Sequence, residues 1–233
     1  MAGMTGFVHS CENAKMEINP FKKSIRESSF SPEQVSMIWD FYVVKSFASV
    51  TGLGRSLKDY GWSATSKGVH GHIELERQLA FNASVDGICS IRAKTIKDTL
   101  EAMDLSADRI CIDHPRIVLM QDYSISIDEN ENLGFNNEEG RIKCLFRHVR
   151  NSLAHGNTFF FENGMLLMKD YSGKTCSASI LIPQQSLLDW ISIVDYNQSF
   201  YRLIPIEATL VQEDVNEQDS NEELCYLGAG TVN

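Results

Sequence analysis

The sequence predicts a mainly α fold, a helical bundle that carries a small antiparallel β-meander between its last two helices. Apolar residues recur at helical spacing in segments that begin near residues 31, 73 and 139. Alternating apolar residues around turn signals then follow, and a last amphipathic segment ends the pattern. We therefore divide the chain into an irregular N-terminal arm (1–30), a folded body (31–203, with the β insertion at about 157–182) and an acidic C-terminal tail (204–233).

The expected helices differ in how well the sequence marks their ends. Before the first helix, Ser31 is placed to cap, Pro32 fits the first helical position and Gln34 completes a capping box. The second helical stretch is expected to run from about residue 73 to 103, and a short helix is expected near 117–120. The third main helix is expected from about 139 to 155.

The β-meander is indicated by its turns. Asn163-Gly164 lies between two apolar runs, which is a strong hairpin signal. A second turn at Ser172-Gly173 leads into a third strand that Pro183 closes. The last helix is marked by apolar residues at helical spacing, namely Leu187, Trp190, Ile191 and Val194.

Charge and cysteine content restrict the cellular setting. The net charge is -10, but the chain after Arg202 has no base and seven acids: Glu207, Glu213, Asp214, Glu217, Asp219, Glu222 and Glu223. The acidity is largely a property of the tail, so the body can hold a local basic patch. No apolar run approaches the roughly 20 residues of a membrane helix, and no secretory signal is expected. Six widely spaced cysteines without a CxxC pair predict a reducing, cytoplasmic location and no structural zinc.

The third main helix concentrates cationic chemistry at its end. A helical wheel places its core on one side, formed by Ile142, Leu145, Phe146, Val149 and Leu153. Arg147, Asn151 and Ala154 fall roughly opposite. Arg150 and His155 flank that polar sector, about 140° apart on a regular helix. They can meet one substrate only if the last turn opens at Gly156 or if a second copy of the helix supplies the other side.

The same residues have a purely structural interpretation. The carbonyl end of a helix favours Arg and His, and Gly is common just past the end. Arg147, His148, Arg150, His155 and Gly156 can therefore simply finish a helix.

Arg150-Asn151-Ser152-Leu153-Ala154-His155 resembles the motif of the HEPN family, in which an Arg with a polar residue directly after it precedes a His by four to six residues. The following hairpin and terminal helix resemble a branch of HEPN proteins from prokaryotic plasmid, toxin and defence contexts. The resemblance covers about residues 135–198 and, as helices only, extends back to about residue 31. It implies a HEPN-like helical bundle.

The resemblance also implies a metal-independent endoribonuclease that needs no cofactor and works as a homodimer with the two motif helices facing a shared cleft. His155 would act as acid or base, Arg150 would stabilise the phosphorane, and Asn151 would hold phosphate or orient His155. Arg147 and His148 would bind RNA. The family setting implies a toxin or antiphage defence effector, with an antitoxin or defence-system partner protein. The alternative is a catalytically inactive HEPN-type module that binds a partner protein or nucleic acid.

Other residues admit chemical and structural interpretations. His70-Gly71-His72-Ile73-Glu74 has metal-ligating residue types, but a flexible loop before a helix is the simpler interpretation. Cys144 has the residue type of a nucleophile, yet no base is clearly aimed at it, which favours a packing role. The run of three phenylalanines at 159–161 can stack RNA bases, although alternation along a strand makes at least one of them core.

Overall fold

The computed structural model describes residues 17–18, 20–22, 25, 28–46, 54–63, 70–91, 98–99, 110–111, 116–121, 125–127, 133–135 and 140–202. Four α-helices lie in this part of the chain: α1 (Pro32–Trp39), α2 (His72–Asn82), α3 (Arg141–Ala154) and α4 (Ser186–Val194). A π-helical turn, Asp40–Val44, continues α1, and Leu57–Tyr60 form a 3₁₀ turn. The acidic tail lies outside the described residues.

The strands are β1 (Glu17–Ile18), β2 (Pro20–Lys22), β3 (Cys89–Ile91), β4 (Ile110–Cys111), β5 (Ile117–Gln121), β6 (Ile125–Ile127), β7 (Leu133–Phe135), β8 (Thr158–Phe161), β9 (Met165–Ser172) and β10 (Thr175–Pro183). Six of them form one sheet in the order β2-β8-β9-β10-β5-β3. All neighbours in it are antiparallel except β3 and β5, which are parallel. Two separate two-stranded pairs, β1 with β4 and β6 with β7, complete the strands.

The prediction of a mainly α bundle is wrong, because this is a mixed α/β fold. The expected meander exists between α3 and α4 and consists of β8, β9 and β10. It is the middle of a larger sheet, however, because β2 pairs with β8 on one side and β5 pairs with β10 on the other. Strand pairs so distant in sequence leave no local signal, and this is why the sheet looked like a small insertion.

Two predicted helices are corrected. The stretch from 73 to 103 is not one helix, since α2 ends at Asn82 and Cys89–Ile91 form β3. Residues 117–120 are not helical but form most of β5, and all four are buried. A short, fully buried apolar run has no period that separates strand from helix.

The N-terminal arm is not wholly irregular. Pro20–Lys22 form the edge strand β2, which pairs with β8. Proline is tolerated at the edge of a sheet because no ladder hydrogen bond needs its missing N–H there. Part of the segment that the sequence assigned to a separate arm therefore belongs to the main sheet of the folded body.

Several local predictions are confirmed. The Ser31 hydroxyl accepts a hydrogen bond from the backbone N–H of Gln34, and the side-chain oxygen of Gln34 accepts one from the backbone N–H of Ser31. Gly164 and Gly173, the second residues of the two predicted turns, have φ values of 77° and 63°. The left-handed region favours glycine, so both hairpins form where the sequence places them.

The core lies mainly between the sheet and the helices. One face of the sheet contributes Val118, Met120, Phe160, Leu166, Met168, Ala178, Ile180 and Ile182 to a cluster shared with all four helices. The opposite face buries a smaller cluster that includes Ile117, Leu119, Phe161, Leu167 and Leu181. Successive strand residues thus alternate between two buried faces. No helix among the described residues is long and apolar enough to cross a membrane.

Candidate functional site

Helix α3 ends in a motif that turns the chain directly into the sheet. The backbone N–H of Asn157 donates to the carbonyl of Ser152 over 2.9 Å, and that of Gly156 donates to Leu153 over 3.3 Å. Gly156 has a φ of 70°. These two bonds with a left-handed glycine form a Schellman motif, which satisfies the last carbonyls of the helix. The sequence Ala154-His155-Gly156-Asn157 therefore has a structural role as a helix terminus.

Helix α3 is buried on two sides. Its apolar stripe packs into the main core, as the sequence predicts. A second line of residues at positions i, i+4 and i+8 is also fully buried and consists of Cys144, His148 and Ser152. This line faces strands β5 and β9, and it carries polar side chains into the space between the helix and the sheet.

His148 and Asp170 form the centre of this buried contact. The Nδ1 atom of His148 lies 2.7 Å from Oδ2 of Asp170, which projects from β9, and the exposed fractions of the side chains are 0% and 4%. The Nε2 atom of His148 lies 3.0 Å from the backbone carbonyl oxygen of Gln121, at the end of β5. Both ring nitrogens lie close to oxygen atoms, so the imidazole is held from both sides.

Asn151 connects this pair to Arg150. Its Nδ2 donates to Oδ2 of Asp170 over 3.1 Å, and its Oδ1 accepts from Nη1 of Arg150 over 3.1 Å. The amide of Asn151 is thereby oriented, because the carboxylate takes its NH₂ side and the guanidinium takes its oxygen. Four side chains, His148, Asp170, Asn151 and Arg150, form one continuous hydrogen-bonded chain that we call the helix–sheet cluster.

Asp170 stays ionised within the cluster. Burial alone would raise the pKa of its carboxyl, but hydrogen bonds from His148 and Asn151, the charge of His148 and the backbone N–H of Tyr171 together lower this pKa below its usual value. The N–H of Tyr171 lies 2.9 Å from Oδ1. Both carboxylate oxygens therefore accept hydrogen bonds, as expected of a buried carboxylate.

Arg150 has one atom with an open hydrogen-bonding capacity. Its Nε is buried and has no hydrogen-bond partner among the described residues. An N–H removed from water without an acceptor is costly, particularly on a charged group. The Arg150 guanidinium is thus held by Asn151 on one side while its Nε lacks an acceptor.

Arg147 and Cys144 lie next to the cluster. The Nη2 atom of Arg147 lies 3.4 Å from Sγ of Cys144 and 3.5 Å from Nε2 of His148. The Cys144 thiol donates to the Gln121 carbonyl over 3.3 Å, the same oxygen that His148 contacts. Cys144 is fully buried, which fits the packing role that the sequence favours.

The predicted site residues fall into three groups. Arg150 and Asn151 are joined in the cluster. His148 is fully buried beneath α3, so the RNA-binding role predicted for its side chain does not fit this placement. His155 is the exposed C-cap residue, and in the described part of the chain no hydrogen bond or ion pair connects it to Arg150.

The exposed side of α3 carries several cations and no acid. Lys143 is exposed, Arg147 and Arg150 are partly exposed, and Ala154 is exposed. These residues lie within one sector of the helix, since they are three or four positions apart. Helix α3 contains no Asp or Glu, so a positive stripe lies on a protein whose net charge is -10.

The remaining candidates have structural contacts. The ring of His70 stacks on Tyr196 at 4.8 Å, and Glu74 binds Arg77 and Gln78. No group of three or more His, Cys, Asp or Glu residues able to hold a metal ion occurs within the described ranges. Phe160 and Phe161 are fully buried on opposite faces of the sheet, which confirms that at least one of the three phenylalanines belongs to the core, and Phe159 is half-buried.

Sequence reasoning missed Asp170, the Gln121 carbonyl and Lys143. The sequence pattern could have indicated Asp170, because this acid follows the apolar run Met165–Met168 within one strand. The shared burial of Cys144 and His148 could also have been expected, since their spacing of four places them on the same face of α3. No sequence pattern indicated the position of Gln121, because β5 was expected to be helical.

Comparison with known proteins adds no assignment to this geometry. No family model, no curated protein and no solved structure matches the chain.

Proposed function

We propose that this chain binds RNA and cleaves it without a metal ion, through attack of an RNA 2′-hydroxyl on the neighbouring phosphate. Arg150, Asn151 and His155 form the proposed site. The reaction is suggested by the resemblance of residues 150–155 to the HEPN motif. The resemblance is used here for the motif alone, because the helical bundle expected with it is replaced by a mixed α/β fold.

The observation that carries the proposal is the state of Arg150. Asn151 holds Nη1, whereas Nε is buried without a partner in the described structure. The side chain is partly exposed, and a phosphate oxygen on that side would accept a charge-assisted hydrogen bond from the guanidinium. The acid-free stripe of Lys143, Arg147 and Arg150 supports the same ligand, because phosphate contacts dominate the affinity of nucleic-acid binding.

The reaction needs one proton to leave and one to arrive. An imidazole takes the proton of the 2′-hydroxyl, the 2′-oxygen bonds to phosphorus, and the bond to the 5′-oxygen breaks. A proton then passes to that leaving oxygen. The products carry a 2′,3′-cyclic phosphate and a 5′-hydroxyl. His155 suits the proton transfers since it is exposed and imidazole is the side chain most often used in general acid–base catalysis. Arg150 suits the stabilisation of the phosphorane.

The placement of the two residues favours a paired site. Arg150 and His155 are separated by about 140° around a regular helix, so a second copy of α3 would supply the missing side of the cleft. We therefore propose a homodimer through α3, with exposed Ala154 at the contact. We further propose a cytoplasmic toxin or antiphage defence effector whose activity an antitoxin or defence-system partner controls.

The direct test is to incubate purified protein with labelled single-stranded RNA in excess EDTA. Cleavage with cyclic phosphate ends supports the proposal, and matched DNA is the control because it lacks the 2′-hydroxyl. Cleavage that requires Mg²⁺ and leaves 3′-hydroxyl ends would refute it.

The second candidate is a catalytically inactive module that binds RNA or a partner protein. Its support is that Arg147 contacts Cys144 and His148, while His148 contacts Asp170 and the Gln121 carbonyl. Both residues therefore interact within the protein, as in a structural helix terminus. The same assay separates the two candidates. Salt-sensitive RNA binding without any cleavage, unchanged by His155→Ala, would favour the inactive module.

A further inference from the structure

We propose that Asp170 and His148 are positioning residues for Arg150, and that strand β9 thereby sets the geometry of the reactive end of α3. This inference rests on the proposed function for its kinetic consequences. Its structural content, that the buried pair holds the guanidinium through Asn151, can be tested without activity.

The first step is the fixed orientation of the Asn151 amide. An amide can present either its oxygen or its NH₂ group to Arg150, and only the oxygen accepts from a guanidinium. Asp170 decides between them, because its Oδ2 accepts from Asn151 Nδ2 over 3.1 Å. The oxygen of Asn151 is then left to face Arg150 Nη1, also at 3.1 Å.

The second step is the fixed position of Asp170. A carboxylate that is almost fully buried needs hydrogen-bond donors, and the Nδ1 atom of His148 lies 2.7 Å from the same Oδ2. His148 is itself fixed on its other side by the Gln121 carbonyl at 3.0 Å. The carboxylate therefore has a fixed position and charge, and Asn151 cannot turn without leaving one of its partners unpaired.

The third step is the consequence for the reaction. Neither Asp170 nor His148 touches the surface where RNA would bind, so their effect must pass through Asn151 and Arg150. A guanidinium that stabilises charge only in the transition state affects kcat more than KM. Misplacement of such a group by about 1 Å costs roughly 10²-fold in rate.

The test exchanges the polarity of one hydrogen bond. In Asn151→Asp, two carboxylates face each other at positions 151 and 170. We expect kcat for RNA cleavage to fall about 10²-fold with KM nearly unchanged. Adding Asp170→Asn restores a donor at position 170 and an acceptor at 151 that still faces Arg150. The double variant should recover most of the lost kcat.

Asp195→Asn is the matched control, since Asp195 is equally buried but accepts from the backbone of residues 199–201 at the end of α4. It should lower stability and leave kcat unchanged. If the single variant Asn151→Asp does not fold, the double variant compared with wild type remains informative. A folded double variant with kcat no higher than that of Asp170→Asn alone would overturn the inference.

The second measurement is independent of cleavage. In spectra of ¹⁵N-labelled arginine side chains, the held Arg150 guanidinium should give a resolved signal, assigned by its loss in Arg150→Lys. That signal should merge with the signals of exposed arginines in Asn151→Asp and return in the double variant. Wild type that fails to cleave RNA but shows this pattern refutes the proposed function alone. Cleavage by wild type without any such change refutes the positioning role.

Discussion

His148 and Asp170 form a buried hydrogen-bonded pair that joins α3 to β9 across 22 residues of sequence, with Nδ1 and Oδ2 at 2.7 Å. The pair couples the stability of the sheet to the geometry at the end of the helix. Asn151 extends this coupling to Arg150. A substitution of the buried Asp170 in the sheet should therefore change the position of Arg150 at the surface of the helix.

The stability that Asp170 provides should depend on pH in the acid range. Its folded pKa is lowered below the usual ~3.9, so the unfolded chain takes up its proton first as pH falls. The contribution is fully present above ~3.9 and is lost as pH falls through the lower folded pKa. At pH 7, Asp170→Asn should cost about 3 kcal/mol, since one partner of a buried pair remains. Urea unfolding at several pH values measures the free energy of unfolding of the wild type and of Asp170→Asn. The difference between them should shrink in acid, and a constant difference would contradict this assignment.

Arg150→Ala and His155→Ala should each lower kcat for RNA cleavage by about 10² or more. Both variants should fold, because His155 is exposed and Arg150 lies at the partly exposed side of α3. Arg150→Lys is the matched control, since it keeps the charge but loses the planar donors, and it should recover little activity. Circular dichroism measures whether the variants fold, and single-turnover kinetics measure their rate of RNA cleavage. Normal cleavage by both folded alanine variants would show that the site is elsewhere.

Lys143→Glu should weaken RNA binding and affect KM more than kcat. Lys143 lies about 6 Å along the helix from Arg147, and its replacement puts an acid into the acid-free stripe. The loss of one phosphate contact should also reduce the salt slope of binding by about 1. Lys58→Glu is the matched control, because Lys58 is exposed on the 3₁₀ turn outside α3. Equal effects of the two substitutions would mean that only net charge matters.

Ala154→Trp should weaken dimerisation and cleavage together. Ala154 is exposed in the middle of the polar sector, where a small side chain allows a second helix to approach. Sedimentation at several protein concentrations measures the association, and kinetics at the same concentrations measure the activity. A wild-type monomer that is fully active at nanomolar concentration would refute the paired site.

Gly156→Ala should destabilise the protein by about 1–2 kcal/mol, which is the cost of a left-handed residue with a Cβ. The cost is conformational, because a Cβ at Gly156 would meet no atom within 4 Å while its φ is 70°. Gly87→Ala is the matched control, since its Cβ also meets nothing within 4 Å and its φ is not in the left-handed region. Thermal unfolding measures the stability of Gly156→Ala and of Gly87→Ala. Equal stability of the two variants would contradict the role of Gly156 in the Schellman motif.

Local signals predicted the local parts of this structure. The capping box at Ser31, the hairpin at Asn163-Gly164 and the span of α3 were all readable, because each depends on residues close in sequence. The pairing of β5 with β10 was not, since a buried apolar run has neither a helical nor a strand period.

The candidate site was readable only in part, for the same reason. Arg150 and Asn151 were found from the motif, but the buried side of α3 was not expected to be polar. Helical patterning assigns polar residues such as His148 and Ser152 to solvent, unless a second surface is known to cover them. That surface is the sheet, whose assembly from strands distant in sequence could not be predicted from local patterns.

The order in which the strands appear along the chain has a consequence during synthesis. Gln121 is made before α3, but Asp170 follows His148 by 22 residues, and β10, which holds β5 in place, ends later at Pro183. At ribosomal rates of about 5–20 residues per second, those 22 residues alone take roughly 1–4 seconds. Throughout this interval the nascent helix has Arg150 without the carboxylate that orients it. The RNA cleavage proposed for this chain would then begin only after translation has passed beyond Asp170.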